Sequence, residues 1–306
     1  MKTLEALLQK PDEEFSLTEA ALAIAKNPDL NNDFDIQEYM AKINQMADEL
    51  KQRIGGKREP EEVISEINNY LFQEEDFYNK GNFFLNKVLD DKKGSSEGLS
   101  SLYLALAEQL DLPIYGVILP SRNIGSHMIV RWDDGKFKRN IETTYKGEAY
   151  TDLDYIIDFN ISKESIEKGV YLRNLSKKEV VGNILNERGL AYAKEGDLEK
   201  AIQDYNTALE LNPNFAKTYY NRGNAFAAKE DLEKAIQDYN KALELNPNLA
   251  GAYYNLGFFH ADKGDYNKAI QYFQKVLDIN PGYEESYNNR GSAHFMIFTL
   301  KKKMRL

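Results

Sequence analysis

Apolar residues return at helical spacing through most of the first hundred positions. Ser16-Leu-Thr-Glu19 spells a capping box ahead of AALAIA, and Asp35-Ile-Gln-Glu38 does the same ahead of YMAKINQMADELKQRI. In the second of these segments Ile36, Met40, Ile43, Met46 and Leu50 share one face. GGKREP (55–60) breaks the pattern, and Pro60 suits the first turn of a helix through Val63, Ile67 and Leu71. A short helix is predicted over 82–91, ended by Gly94. Another follows over 95–110, where Leu99, Leu102, Leu106 and Leu110 form a buried stripe behind a first turn of small hydroxyl residues. After Pro113 the period changes. IYGVILP, HMIVRW and KFKRNIETT are short β-branched and aromatic runs separated by SRNIGS and DDG, which predicts an antiparallel meander. Helical spelling returns at Thr151-Asp-Leu-Asp154, and Ser176-Lys-Lys-Glu179 opens one more capped helix.

Beyond residue 181 the pattern itself repeats. Gly189, Gly223, Gly257 and Gly291 stand 34 residues apart, as do Ala201, Ala235 and Ala269, and Pro213, Pro247 and Pro281. Tyr205, Tyr239 and Phe273 keep the same beat. Each unit holds two helical stretches broken by EGD, KED or KGD and stopped by proline, which lacks an amide hydrogen and clashes with the preceding turn. The recurring glycine and alanine predict that the two helices of a unit cross closely. Length and pattern resemble the tetratricopeptide repeat. The units fall at 182–215, 216–249 and 250–283, with a partial fourth at 284–306 that supplies no second helix and ends in FMIFTLKKKMRL. In the third, His260 and Val276 replace the family's aromatic residue and second alanine. His260 and His294 are expected to pack where Tyr192 and Phe226 stand in the earlier units. A boundary is expected near residue 175, giving domains 1–174 and 175–306. In the last helix Tyr287, Gly291 and His294 should pack on the third repeat. Phe295, Met296, Ile297 and Phe298 cannot all face one side, so part of this run should stay exposed and favour self-association.

Composition narrows the function. Apolar content of 42% and aromatic content of 12% indicate a folded chain. A net charge of −10, with acids and bases interspersed, argues against a nucleic-acid partner. There is no cysteine, which excludes a disulfide scaffold, a thiolate zinc site and a cysteine nucleophile. The start, MKTLEALLQKPDEEF, has no apolar core of signal-peptide length, and no apolar run approaches a membrane span. A cytoplasmic protein without metal or cofactor is the expectation.

The stretch NFFLNKVLDDKKGSSEGLSSLYLALAEQLDLPIYGVILP, then GSHMIVRW, then RNIETTYKG, resembles the bacterial transglutaminase-like domain, a papain-type fold often joined to tetratricopeptide repeats. The resemblance covers roughly residues 35–160. It implies an α+β domain of helices and a short antiparallel sheet, followed by an all-α solenoid. In that family a cysteine opens the central helix, a histidine sits on the next strand, and an acid on the strand after orients it. Those places fall on Ser96, His127 and Glu142. A helix N-terminus favours a thiolate, whereas a serine hydroxyl is far less acidic and needs the imidazole as general base in the transition state. Two readings follow: an inactive or weakly active domain, or a peptide or amide hydrolase or acyl transferase run by Ser96, His127 and Glu142. Ser96, beside Ser95, also serves simply as a helix cap, and His127 as a half-buried histidine bonded to Glu142.

In the repeat family the first helices line a concave, peptide-binding groove. The resemblance places Asn221, Asn255 and Asn289 there, with Glu187 in the first unit and Asn224 nearby. Side-chain amides both donate and accept, so such a ladder can hold an extended polypeptide without reading its sequence. Asn224 and Asn255 fit the family's carboxylate clamp, but Tyr220, Glu285 and Asn289 stand where its basic residues belong, so the clamp is absent. The leading expectation is a protein-interaction protein that binds a protein or peptide ligand in the repeat groove.

Overall fold

A computed structural model describes residues 4–30, 32–57, 59–120 and 127–303. The SRNIGS segment at 121–126 lies outside the described residues. Packing divides the chain into two compact units, Met1–Pro213 and Asn214–Leu306.

The first unit opens with α1 (Leu4–Leu8), α2 (Leu17–Ala25), α3 (Ile36–Ile54), α4 (Pro60–Asn69), α5 (Leu85–Asp91) and α6 (Ser96–Gln109). Ser16 and Asp35 cap α2 and α3 by accepting the amides of Glu19 and Gln37, and Pro60 starts α4. At α2 the cap is completed from a distance. The Glu108 carboxylate of α6 accepts the amides of Leu17 and Thr18, both at 2.9 Å, and the hydroxyls of Ser16 and Thr18. Burial opposes that charge, but these donors and Lys177 hold the carboxyl below its usual range. Every residue of α6 from Leu99 to Ala107 is buried, most of them apolar, so the helix is covered all round. α2, α3, α5 and a three-stranded sheet cover it.

That sheet is the meander the sequence predicts. β1 (Ile114–Leu119), β2 (His127–Asp133) and β3 (Lys138–Ile141) pair antiparallel in the order β1-β2-β3, with Leu119 opposite His127 and Val130 opposite Ile141. Ahead of α6, Gly94 does not end α5. Lys92, in the left-handed region at φ 55°, ends it, and Gly94 pairs with Asn79 in a two-residue parallel ladder. Gly98 is more constrained. A Cβ there would lie 2.3 Å from the Asn82 carbonyl oxygen, so only glycine lets α6 sit this close to the segment before α5.

After α7 (Asp152–Asp158) and α8 (Lys163–Glu167) the chain runs beside β1, with the Leu172 and Leu175 amides donating to Ile118 and Gly116 carbonyls. Arg131, only 1% exposed, clasps this linker. Its guanidinium donates to the Leu172 carbonyl (2.9 Å), Asn140 (2.6 Å) and Asp152 (2.5 Å). The capping box at Ser176 then opens α9 (Lys177–Lys194), which forms a hairpin with α10 (Leu198–Leu211). α9 packs on α2: Asn27 donates to the Tyr192 hydroxyl, and Arg188 donates to the Ile24 carbonyl at 3.2 Å. The first repeat hairpin is thus part of the first unit.

The second unit is a solenoid of α11 (Ala216–Ala228), α12 (Leu232–Leu245), α13 (Ala250–Asp262), α14 (Tyr266–Ile279) and α15 (Glu284–Lys303). The aspartates of KED and KGD, Asp231 and Asp265, cap α12 and α14. The glycine crossings are as tight as the period implies. A Cβ on Gly223 or Gly257 would lie 2.8 Å from the ring of Tyr239 or Phe273. α15 packs on its neighbours differently from expectation. Ala293 joins Ala269 and Phe273 in the core, whereas Tyr287, Gly291 and His294 stay exposed, because theirs is the face that meets the second helix in complete repeats. Phe295, Met296 and Phe298 are exposed as well. The chain is therefore α+β followed by an all-α solenoid. No helix among the described residues is long and apolar enough to cross a membrane.

Candidate functional site

The site begins at the N-terminus of α6. Ser95 is the cap, accepting the Gly98 amide at 3.3 Å, and Ser96 is the first helical residue. Both hydroxyls donate to one oxygen of Glu97, each at 3.0 Å. Glu97 is buried at the positive end of the helix dipole, where a carboxylate is favoured. Opposite, His127 begins β2 and Glu142 follows β3. His127 Nε2 lies 2.7 Å from Glu142 Oε2. The other Glu142 oxygen accepts the Thr144 amide (3.1 Å) and hydroxyl (2.7 Å), and the Tyr155 hydroxyl approaches Oε2 at 3.4 Å. Phe159 stacks on the imidazole with centroids 6.3 Å apart. Ser100 ties the parts together by donating to the Met128 carbonyl at 2.8 Å and lying 3.0 Å from the Thr143 hydroxyl.

The electrostatics favour a charged ring. Burial alone would lower the His127 pKa, but the hydrogen bond and charge of Glu142, with the charge of Glu97 added, outweigh it and leave the value above the ordinary one. The carboxylate of Glu142 is fixed by three donors and can orient the imidazole. Of the three residues expected to act together, the fold joins His127 and Glu142. Ser96 turns its proton to Glu97, and no hydrogen bond links it to His127 among the described residues. Glu97, Ser100, Thr143, Thr144, Tyr155 and Phe159 are members of this cluster that sequence reasoning missed. The only local sign of Glu97 is an acid in the first turn of a helix. Among the described residues no group of three or more His, Cys, Asp or Glu side chains could hold a metal ion.

In the solenoid the four expected asparagines are bound into the fold. Asn221 is buried, at 3% exposure. Asn224 Oδ1 accepts from the Tyr239 hydroxyl (2.9 Å) and from Asn255 Nδ2 (2.8 Å), and Asn289 Nδ2 donates to the Tyr254 hydroxyl at 3.1 Å. A primary amide has two donor hydrogens and two acceptor lone pairs, so these bonds use part of what each side chain offers. Phe258, one helical turn from Asn255, is 61% exposed, and the sequence reading passed over it.

Comparison with known proteins follows the same division. The model of the transglutaminase-like superfamily matches residues 37–186. A model of TPR repeats matches 189–229, and the tetratricopeptide repeat model matches 216–249 and 250–283. F-box only protein 21 of Mus musculus is 26% identical over 162 residues, which are 44% of this chain and 25% of that protein. A UPF0162 protein of Buchnera aphidicola subsp. Baizongia pistaciae is 29% identical over 132 residues, 42% of this chain and 47% of its own length. The chain thus spans between a quarter and about half of these curated relatives. The crystal structure of MamA is similar over 41% of this chain and 81% of its own, with 26% identity and a TM-score of 0.36.

Proposed function

We propose that this chain, which belongs to the transglutaminase-like superfamily over residues 37–186 and continues in tetratricopeptide repeats, is a protein-interaction protein whose repeats hold an extended polypeptide. The repeat architecture carries the reading. Its first helices bring Asn224 and Asn255 together and leave Phe258 open beside them, so amides and a ring are offered on one face. The test is binding of full-length protein to an array of unstructured peptides. Asn255→Ala with Phe258→Ser should abolish the captured signals while the circular dichroism spectrum stays unchanged. Unaltered capture would sink the groove reading.

The transglutaminase-like domain is, on this proposal, inactive or weakly active. Supporting this, serine stands where the family places cysteine, and its hydroxyl is engaged by Glu97. The fixed His127–Glu142 pair favours a second reading, a hydrolase or acyl transferase using Ser96, His127 and Glu142. A fluorophosphonate separates the two. Labelling at Ser96 supports the hydrolase, whereas an unlabelled protein whose Ser96→Cys variant gains a reactive thiolate, lost again with His127→Ala, supports the inactive domain.

A further inference from the structure

The last helix of the solenoid keeps the means to grip a second helix that the described residues do not provide. In the three complete hairpins the first-helix glycine meets a ring on the second helix: Gly189 meets Tyr205, Gly223 meets Tyr239, and Gly257 meets Phe273. In the first two, the preceding arginine also takes an aspartate two-handed. Arg188 donates to Asp204 at 2.8 and 2.7 Å, and Arg222 donates to Asp238 at 2.8 and 2.8 Å. Aspartate and ring are adjacent in sequence, so one turn of the second helix supplies both.

Arg290 and Gly291 stand at the same two places in the fourth unit. There α15 does not turn back: it runs for 20 residues, where α11 and α13 have 13. A Cβ on Gly291 would meet nothing within 4 Å. No carboxylate pairs with Arg290 among the described residues; its Nη1 donates to Gln274 instead. Against α15 lies a cleft of about 750 Å³, lined by Tyr253 of α13, Tyr272 of α14, and Tyr287, Arg290, Gly291 and His294 of α15 itself.

We propose that this cleft is a docking slot for an amphipathic helix of another protein, carrying the pattern Ala-x-x-Asp-aromatic that Ala201-x-x-Asp204-Tyr205 and Ala235-x-x-Asp238-Tyr239 show within the chain. The ring enters the notch at Gly291, and the aspartate takes Arg290 as a fork, the geometry in which guanidinium and carboxylate bind most strongly. The slot uses neither Asn255 nor Phe258, so it stands or falls apart from the groove.

The probe is the peptide Asp231–Leu245, which carries this pattern. A lactam from Glu233 to a Gln237→Lys substitution keeps it helical, since isolated helices of this length are marginal. Fluorescence anisotropy with the full-length protein should show saturable binding. Asp238→Asn in the peptide should weaken it about tenfold, the scale of lost charge-assisted hydrogen bonds. Gly291→Leu in the protein should abolish it; a Cβ at this exposed position meets nothing within 4 Å, so the unfolding midpoint of the variant should not fall. Absence of saturable binding, or binding untouched by Gly291→Leu, overturns the proposal. So does a concentration-dependent dimer, seen by sedimentation and lost with Gly291→Leu, because that assigns the slot to a second copy.

Discussion

Alanine placed at equivalent glycines of the solenoid should act with opposite sign according to whether a second helix is there. In a helix interior alanine is favoured over glycine by about 1 kcal/mol. At Gly223 and Gly257 that gain is opposed by crowding. The new methyl would stand 2.8 Å from one ring atom and 2.9 Å from the next. The rings cannot retreat: Phe273 is fully buried, and the Tyr239 hydroxyl is held by Asn224. Overpacking of a filled core costs about 1–3 kcal/mol, so the net loss should be about 0–2 kcal/mol. At Gly291 nothing opposes the gain, and Gly291→Ala should stabilise by up to about 1 kcal/mol. Urea denaturation followed by circular dichroism at 222 nm measures the three variants against the parent. If Gly291→Ala loses stability as the others do, α15 has a packed partner on that face and the reasoning fails.

Other outcomes follow from the N-terminal unit and its histidine. Gly98→Ala drives a methyl to 2.3 Å from a backbone oxygen that cannot swing away, and should cost about 3 kcal/mol by the same assay, the upper end for overpacking. In an NMR titration His127 should hold its proton to higher pH than His260, whose pKa is lowered by burial and then by the charge of Lys268. Glu142→Gln should bring the His127 midpoint down; an unmoved midpoint would remove Glu142 as the cause. Because the His127 pKa is raised on folding, its stabilising contribution is full below the unfolded value of about 6.5 and disappears as pH rises through the folded value. Stability measured upward from about pH 6.5 should therefore fall less steeply in Glu142→Gln.

What the sequence disclosed depended on how local its cause is. The glycine and aromatic beat was readable because a close helix crossing admits one residue type at one place. The meander was readable because the apolar period changes after Pro113. Ser16–Glu19 spelled a capping box, yet the group that completes the cap is Glu108, about ninety positions away and brought near only by α6 packing on α2. Glu97 looked like an ordinary first-turn acid, and its grip on Ser96 depends on rotamers that spacing does not encode. Arg131 sat unremarked in HMIVRW, because a strand residue reveals nothing of the linker it clasps. Asn221, Asn255 and Asn289 are periodic in the sequence, but Asn221 is buried and the other two, with Asn224, lean on neighbours that only the stacked helices supply.

The attachment of the first hairpin to α2 bears on how such a chain can vary in length. Past Pro213 each 34-residue unit meets mainly its neighbours, so a unit gained or lost there alters the reach of the solenoid and leaves the His127–Glu142 pair as it is. The hairpin α9–α10 has no such freedom. Removing it would uncover α2, leave Asn27 without the Tyr192 hydroxyl, and take Glu179 from Arg173 of the linker. Insertions and deletions that preserve a working protein should therefore begin at the second repeat, and the first should be inherited with the domain before it.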